Sequence, residues 1–166
     1  MLKRVIILYL ITLLVLLAGC NKKPTDKDTT IYYSTQSIAL EHFIEENSIN
    51  GVELLETKKG EQLLLCEESE NIFFIGEIIK NSDGYTIVKV TSSFSMANTL
   101  GVSWEFSTSK KNNYTVSLST EDYEETPNFT PLEINEDYFV FLEKGLNKGK
   151  PPLLNENEIT YMKKLR

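Results

Sequence analysis

Histidine and cysteine are scarce in this sequence. Its 166 residues include one histidine, His42, and two cysteines, Cys20 and Cys66. Zinc sites with two or more histidine ligands, and mechanisms in which two histidines transfer protons, are therefore excluded. His42 lies within a predicted helix beside its apolar stripe, where we expect it to face solvent or to pack partly against the body.

Positive charge is in deficit. The chain carries 17 lysines and arginines against 24 aspartates and glutamates, which gives a formal net charge of −7 at pH 7. Because nucleic acids and anionic lipid surfaces attract basic patches, this balance argues against both as electrostatic partners. The simplest consequence of the acidic excess is solubility.

Long hydrophobic runs are missing except for one near the start. Residues 5–17 are almost entirely apolar, but a helix that spans a bilayer needs about 20 such residues. Lys3 and Arg4 precede the run, and the small residues Ala18 and Gly19 follow it. A basic start, a short apolar centre and a small-residue end are typical of a secretory signal.

The signal ends in Leu17-Ala18-Gly19-Cys20, which resembles the lipobox of bacterial lipoprotein precursors at all four positions. The resemblance implies that the Cys20 thiol receives a diacylglyceryl group and that a signal peptidase cleaves between Gly19 and Cys20. Two acyl chains matter because one chain binds a membrane only marginally. The expected location is the cell membrane, lipid-anchored on its extracytoplasmic face. Two alternatives are an uncleaved anchor helix that ends beside Cys20 and a soluble form cut elsewhere.

These features divide the chain into three parts. Residues 1–19 form the predicted signal peptide, residues 20–30 the lipidated N-terminus with a polar tether, and residues 31–166 a single domain. Apart from Pro24, residues 21–30 have no apolar side chain, and such a segment cannot bury enough surface to fold. Fully extended, the tether reaches roughly 33 Å.

Cys66 would be the only free thiol after lipidation of Cys20, so the mature chain could form no internal disulfide. Its neighbours Glu67 and Glu68 would raise its pKa, whereas a reactive thiol needs a lowered one. We expect Cys66 to be a half-buried strand residue.

One stretch before the strands has helical spacing. In residues 34–47, apolar side chains recur three or four positions apart, which predicts an amphipathic helix. Ser34 or Ser37 can cap its start. Asn50-Gly51 is expected to end the helix through a left-handed backbone.

From residue 52 onward, apolar residues recur at every second position, which predicts strands. Seven strands are expected, over residues 52–57, 62–68, 71–80, 85–94, 102–109, 114–120 and 137–144. Gly60, Asp83-Gly84 and the Lys-Lys-Asn-Asn stretch at 110–113 mark the hairpin turns. Residues 155–166 are expected to form a short terminal helix.

We therefore predict an α+β fold in which one N-terminal amphipathic helix packs on an antiparallel β-meander of about seven strands. A small β-barrel with the helix at one end is the alternative. Over residues 36–95, the order of helix, apolar-acid-apolar strand and strand ending in glycine resembles small uncharacterised lipoproteins and secreted proteins of Gram-positive bacteria. That resemblance carries no assigned activity.

Motifs for catalysis or metal binding are weak in this sequence. Residues 107–110 match the Ser-x-x-Lys motif of penicillin-binding enzymes, but they run into a hairpin turn and no Lys-Thr-Gly sequence accompanies them. The acidic clusters at 67–70 and 121–125 lack the alternating spacing of a calcium loop, and we expect them to be solvated loops. We therefore assign no catalytic residue, no metal ligand and no cofactor.

The segment between the fourth and fifth predicted strands is the best candidate for binding. It is longer than a tight turn and rich in serine, threonine and asparagine. Because long loops on a rigid sheet often bind ligands, Phe94, Met96 and Trp104 form the candidate binding loop. The alternative is that these side chains are core strand ends around the loop.

The function expected from the sequence is a membrane-anchored binding or interaction module without catalysis. Its partners would be the membrane, through the diacylglyceryl group on Cys20, and an unidentified protein or small molecule. One alternative is an extracytoplasmic hydrolase that uses paired carboxylates. The other is a carrier of a small ligand, which requires an interior cavity.

Overall fold

The computed structural model describes residues 30–120, 128–146 and 156–166. Strands account for 51% of these residues and helix for 9%, and Ile31–Arg166 form one compact unit. The protein is thus mostly β, with two antiparallel sheets and one described helix. The predicted α+β class and its barrel alternative are wrong, because the strands form two separate sheets.

The strands are Gly51–Thr57 (β1), Gln62–Ser69 (β2), Ile72–Asn81 (β3), Gly84–Lys89 (β4), Phe94–Ser95 (β5), Gly101–Ser107 (β6), Asn113–Ser119 (β7), Thr130–Pro131 (β8), Phe139–Lys144 (β9) and Ile159–Lys164 (β10). The first sheet has the order β10-β1-β2-β3-β4, and β5 also pairs with β3. The second sheet has the order β6-β7-β9-β8. Each of the seven predicted strands corresponds to one of these, whereas β5, β8 and β10 are additional.

The main core lies between the two sheets. Every second side chain of β1, β2 and β3 meets the alternate side chains of β6, β7 and β9. The fourteen buried members are Leu55, Leu63, Leu65, Phe73, Ile75, Met96, Phe106, Tyr114, Val116, Leu118, Leu132, Tyr138, Val140 and Leu142. Full burial of such a side chain contributes about 1.5–3 kcal/mol, so this layer is the largest source of stability.

The chain passes from one sheet to the other between β4 and β6. β4 ends at Lys89, although the predicted strand continues to Phe94. The Val90 N–H still donates to the Ile75 carbonyl at 2.9 Å, and Thr91 Oγ1 accepts from the Ile75 N–H at 2.9 Å. The chain then returns to β3 through β5 before β6 begins the second sheet. Alternation predicts which side of a strand is buried, but it does not predict which sheet the strand joins.

Helix α1, Gln36–Glu46, covers the other face of the first sheet. Phe43 packs edge-to-face on Phe74 with ring centroids 6.1 Å apart, and it lies over Gly76, where a Cβ would come within 3.1 Å of its ring. Because the helix begins at residue 36, it lies within the chain and not at its N-terminus as predicted. The protein therefore has three layers: helix, first sheet and second sheet.

Both ends of the helix differ in detail from the prediction. Thr35 caps the start, since its hydroxyl accepts a hydrogen bond from a first-turn N–H, in place of Ser34 or Ser37. The helix ends at the cap residue Asn47, before the predicted stop at Asn50-Gly51. Several residues in this stretch could each end the helix. The tertiary packing that places the start of β1 at Gly51 decides among them.

The predicted terminal helix at 155–166 is wrong. Residues 159–164 form β10, which pairs with β1 from Glu53↔Lys164 to Thr57↔Ile159. Six of the seven residues of β1 are buried, so an unpaired edge there would leave buried N–H and C=O groups without partners. β10 supplies those partners, and this long-range pairing overrides the local pattern.

The turn between β3 and β4 requires glycine at position 84. Gly84 has a φ of +129°, and a Cβ there would lie 2.2 Å from the carbonyl oxygen of Tyr33. Tyr33 and Tyr85 exchange backbone hydrogen bonds of 2.7 and 2.8 Å. These bonds fix the segment before helix α1 against the edge of β4.

We expect Gly84→Ala to lower the free energy of unfolding by about 2–4 kcal/mol, from backbone strain and loss of the Tyr33–Tyr85 hydrogen bonds. Gly60→Ala is the matched control, because Gly60 also has a positive φ (+71°) but has open space around an added Cβ. Gly60→Ala should lower the free energy of unfolding by about 1–2 kcal/mol. Urea unfolding of both variants measures the difference, and equal losses would contradict the role assigned to Tyr33.

Candidate functional site

The three residues of the candidate binding loop lie together at one lateral edge of the sandwich. The ring centroids of Phe94 and Trp104 are 3.4 Å apart at a tilt of 40°, and Phe94 also stacks on Phe73 at 6.2 Å. Met96 is 2% exposed in the inter-sheet core, and its N–H donates to the carbonyl of Asn71 at 2.7 Å. These side chains therefore join β5 of the first sheet to β6 of the second.

Trp104 has a polar group that the described residues do not satisfy. Its indole Nε1 is buried and donates to no acceptor, which costs about 1–3 kcal/mol relative to a satisfied donor. Leu100, in the same connection, is 63% exposed. Because Nε1 is buried, an acceptor on a ligand or partner could accept from it only if the side chains that cover it moved aside.

At one end of the sandwich, two carboxylates of the first sheet bind the turn between β6 and β7. Glu61 accepts hydrogen bonds from Thr108 Oγ1 at 2.6 Å and from Asn112 Nδ2 at 2.9 Å. Glu77 accepts from both the N–H and the hydroxyl of Ser109, each at 2.7 Å. Both glutamates are 3% exposed, so these donors replace the lost hydration of the carboxylates. We call Glu61, Glu77 and residues 108–112 the turn contact.

Tyr114 completes the turn contact. Its hydroxyl donates to Glu61 Oε2 at 2.5 Å. Burial raises the pKa of Glu61, but hydrogen bonds from Asn112, Thr108 and Tyr114 outweigh it and hold that pKa below its ordinary value. Burial, with the hydrogen bond to Glu61, raises the pKa of Tyr114 to about 12. At neutral pH the carboxylate stays ionised and the phenol stays protonated, which suits a fixed contact between sheets.

At the opposite end, two other carboxylates of the first sheet bind the loop before β9. Glu53 is 0% exposed and accepts from the backbone N–H groups of Glu133 at 3.1 Å and Ile134 at 3.4 Å. Glu67 accepts from Asn135 Nδ2 at 3.1 Å. Burial raises the pKa of Glu53 to about 6, although the two backbone hydrogen bonds oppose the rise. We call Glu53, Glu67 and residues 133–135 the loop contact.

None of these four glutamates is among the residues predicted from the sequence, and Glu67 falls in a cluster that was expected to be a solvated loop. Strand alternation does contain the signal. Glu53 of β1 lies two positions before Leu55, and Glu61, directly before β2, lies two positions before Leu63, so in each case acid and leucine share the inner face. A glutamate in phase with the apolar stripe of a strand predicts a buried carboxylate that needs donors.

Two further glutamates lie on the outer face of the second sheet. The strand register places Glu105 opposite Thr115, and Thr115 opposite Glu143. Because strands lie about 4.8 Å apart, the Cα atoms of the two glutamates are separated by about 10 Å. Glu143 is 5% exposed and burial raises its pKa, whereas Glu105 is exposed. We call Glu105, Thr115 and Glu143 the outer row.

His42 lies in the kind of position expected of it, whereas Cys66 is a strand residue as expected but is fully buried and not half-buried. His42 is exposed and stacks on Tyr33 with centroids 4.6 Å apart. Cys66 is a fully buried residue of β2, and burial raises the pKa of its thiol. The Ser-x-x-Lys residues 107–110 lie at the end of β6 and in the turn that follows, where Ser109 binds Glu77.

Within the part of the chain that the structure describes, no group of three His, Cys, Asp or Glu side chains is placed to hold a metal ion. No helix in that part is long and apolar enough to cross a membrane. Cys20, the predicted signal peptide and the acidic cluster at 121–125 lie outside the described residues.

Comparisons with protein-family models, curated proteins and solved structures found no match to this chain. Function must therefore be inferred from the residues themselves.

The raised pKa of Glu53 predicts a pH dependence of stability. Its folded-state value of about 6 exceeds the ordinary value of 4.5, so the folded protein binds this proton more tightly than the unfolded chain. The contribution of Glu53 to the free energy of unfolding is therefore greatest below pH 4.5 and falls by about 2 kcal/mol as pH rises through 6. Glu53→Gln cannot ionise, so the free energy of unfolding of wild type minus that of the variant should fall by this amount in urea titrations.

Glu61→Gln is the matched control, because the contribution of Glu61 to the free energy of unfolding depends on pH in the opposite direction. The pKa of Glu61 lies below its ordinary value, so its contribution to stability is present at neutral pH and is lost as the solution becomes acidic. A wild-type minus Glu53→Gln difference that stayed constant across the pH series would contradict the assignment for Glu53.

Proposed function

We propose that the protein is a lipoprotein held at the extracytoplasmic face of a bacterial cell membrane by acyl chains on Cys20. The observation that carries the proposal is Leu17-Ala18-Gly19-Cys20 at the end of a short apolar run that follows two basic residues. A run of this length suits export but is short for a permanent bilayer span. The polar residues 21–30 then serve as a tether for the folded body.

The body on this tether is a binding or interaction module, and its binding edge is formed by Phe94, Met96 and Trp104. The buried indole N–H of Trp104 without an acceptor supports this location. Binding at an edge is also favoured over carriage inside the sandwich, because fourteen buried side chains pack between the sheets. The carboxylates of the turn and loop contacts are engaged with donors of the chain itself, which favours a structural role for them.

Replacement of Cys20 tests the anchor. In bacteria that produce the full chain, wild-type protein should lack residues 1–19, incorporate labelled fatty acid and sediment with membranes. Cys20→Ala should incorporate no label and retain residues 1–19, because the thiol is both the acylation site and the residue before which cleavage occurs. Mass spectrometry and acyl labelling measure the two outcomes.

Cys66→Ala provides the matched control, since it removes the only other thiol, which is buried in β2. This variant should keep both the acyl label and the cleaved N-terminus. Wild-type protein that retained residues 1–19, or that carried no acyl label, would overturn the proposal.

The outer row favours a second candidate function, an extracytoplasmic glycoside hydrolase. Inverting glycosidases use two carboxyl groups about 6.5–9.5 Å apart, of which the acid has a raised pKa. Glu143, whose pKa burial raises, would be the acid once a substrate displaced the groups that cover it, and the exposed Glu105 would be the base. Thr115 lies between them on the same face.

If this candidate is right, purified protein should release reducing sugars from envelope polysaccharide. Glu143→Gln should then lower the rate by at least about 100-fold, the usual contribution of a general acid. Glu136→Gln, which alters an exposed glutamate outside the outer row, should leave the rate unchanged. No release by the wild type, or equal rates for both variants, would remove the candidate.

A further inference from the structure

Two Lys-Lys pairs meet at the end of the sandwich that carries the turn contact. Lys58-Lys59 lie in the turn between β1 and β2, and Lys110-Lys111 lie in the turn between β6 and β7. Lys59 Nζ donates to Asn112 Oδ1 at 2.5 Å, across 53 positions of sequence. All four lysines are exposed, so the fold gathers charges that the sequence keeps apart.

Acidic groups also lie at this end of the sandwich. Lys58 pairs with Glu156 at 2.7 Å and lies 4.0 Å from Glu158. Glu61 is buried beneath the turns, and Lys110 helps to hold its pKa below the ordinary value. Asp83 is exposed in the β3–β4 turn, at the same end of the first sheet.

The remaining three lysines are Lys59, Lys110 and Lys111, and we call them the lysine end. In the residues that the structure describes, ion pairs form at Lys58 and Lys89 but not at the lysine end. Glu77, the other buried carboxylate here, is engaged by two hydrogen bonds from Ser109. The three lysines are exposed, and Lys59 also donates to Asn112 of the facing turn.

The chain enters the folded body at the same end. In the antiparallel order β1-β2-β3-β4, the β1–β2 and β3–β4 turns lie at one end of the sheet. Tyr33 pairs with Tyr85, directly after the β3–β4 turn. Cys20 precedes Tyr33 by thirteen residues, which span at most roughly 43 Å when fully extended. In a chain anchored at Cys20, Tyr33 would therefore stay within that distance of the bilayer.

We propose that the lysine end contacts the anionic headgroups of the membrane to which the chain is tethered. This contact rests on the proposed function, which supplies the tether. Each lysine close to an anionic surface strengthens binding about fivefold, and the attraction fades within about 8–10 Å at physiological salt. Acidic groups farther away are screened over the same distance, so the net charge of −7 does not prevent a local attraction. The tether raises the local concentration of the body, which makes a weak attraction effective.

Energy transfer between the body and the lipid surface tests the contact. The full chain is produced in bacteria as Ser82→Cys, extracted from membranes, labelled with a donor fluorophore and reconstituted with an acceptor on the lipid headgroups. Ser82 is exposed in the β3–β4 turn, whereas Cys66 is buried. Transfer should be greater in vesicles with about 30 mol% phosphatidylglycerol than in phosphatidylcholine alone, and the increase should disappear at high salt.

Charge variants locate the contact on the molecule. The triple variant Lys59→Gln, Lys110→Gln, Lys111→Gln should lose the increase, whereas Lys163→Gln with Arg166→Gln should keep it. Lys163 and Arg166 are both exposed. Lys163 pairs with Leu54 in the middle of β1, and Arg166 lies beside Val52, away from the β1–β2 turn. Equal transfer from both vesicle types, or an increase unaffected by the triple variant, would overturn the proposal.

Two features keep this test separate from that of the anchor. The comparison of vesicle types and its salt dependence use the labelled Ser82→Cys chain without any charge variant, so they test the contact even if the triple variant folds poorly. A second fluorophore on Cys20 would show that this thiol is not acylated, which counts against the proposed function. The comparison between vesicle types remains valid for whatever anchor holds the chain.

Discussion

Hydrogen bonds between buried carboxylates of the first sheet and loops of the second fix how the two sheets are aligned. Apolar packing drives the sheets together but is not directional. The turn contact at one end and the loop contact at the other are directional, because each carboxylate accepts from particular N–H and O–H groups. A buried carboxylate without donors would cost several kcal/mol, so a shifted alignment of the sheets is strongly disfavoured.

Local structure was largely predictable from the sequence, because each signal acts over a few residues. The helical spacing in residues 34–47 and the alternation in seven strands correspond to observed elements. Gly60 and Gly84 occupy turns with positive φ, as their neighbours indicate. The pairing of residues 159–164 with β1 was not predictable, since its partners lie far away along the chain. The division into two sheets was missed for the same reason.

Prediction of the candidate sites from the sequence is limited in the same way. Phe94, Met96 and Trp104 lie within eleven positions of one another, so the sequence alone is enough to group them. The lysine end and the outer row each combine residues from different strands or turns, so only the folded chain brings them together. Net charge is a sum over the whole chain and contains no information about position. An acidic protein can therefore gather several lysines at one end of its fold.

The pairing of β1 with β10 also constrains the order in which the protein can fold. Thr160 Oγ1 donates to the carbonyl of Glu56 across 104 positions of sequence, and contacts of such long range form slowly. Until residues 159–164 arrive, β1 has one open edge on a strand whose side chains are buried in the finished fold. An open apolar edge is a template for pairing with other chains. Because the N-terminal part of a chain is made first, this interval is the time at which the protein is most exposed to aggregation and to proteolysis.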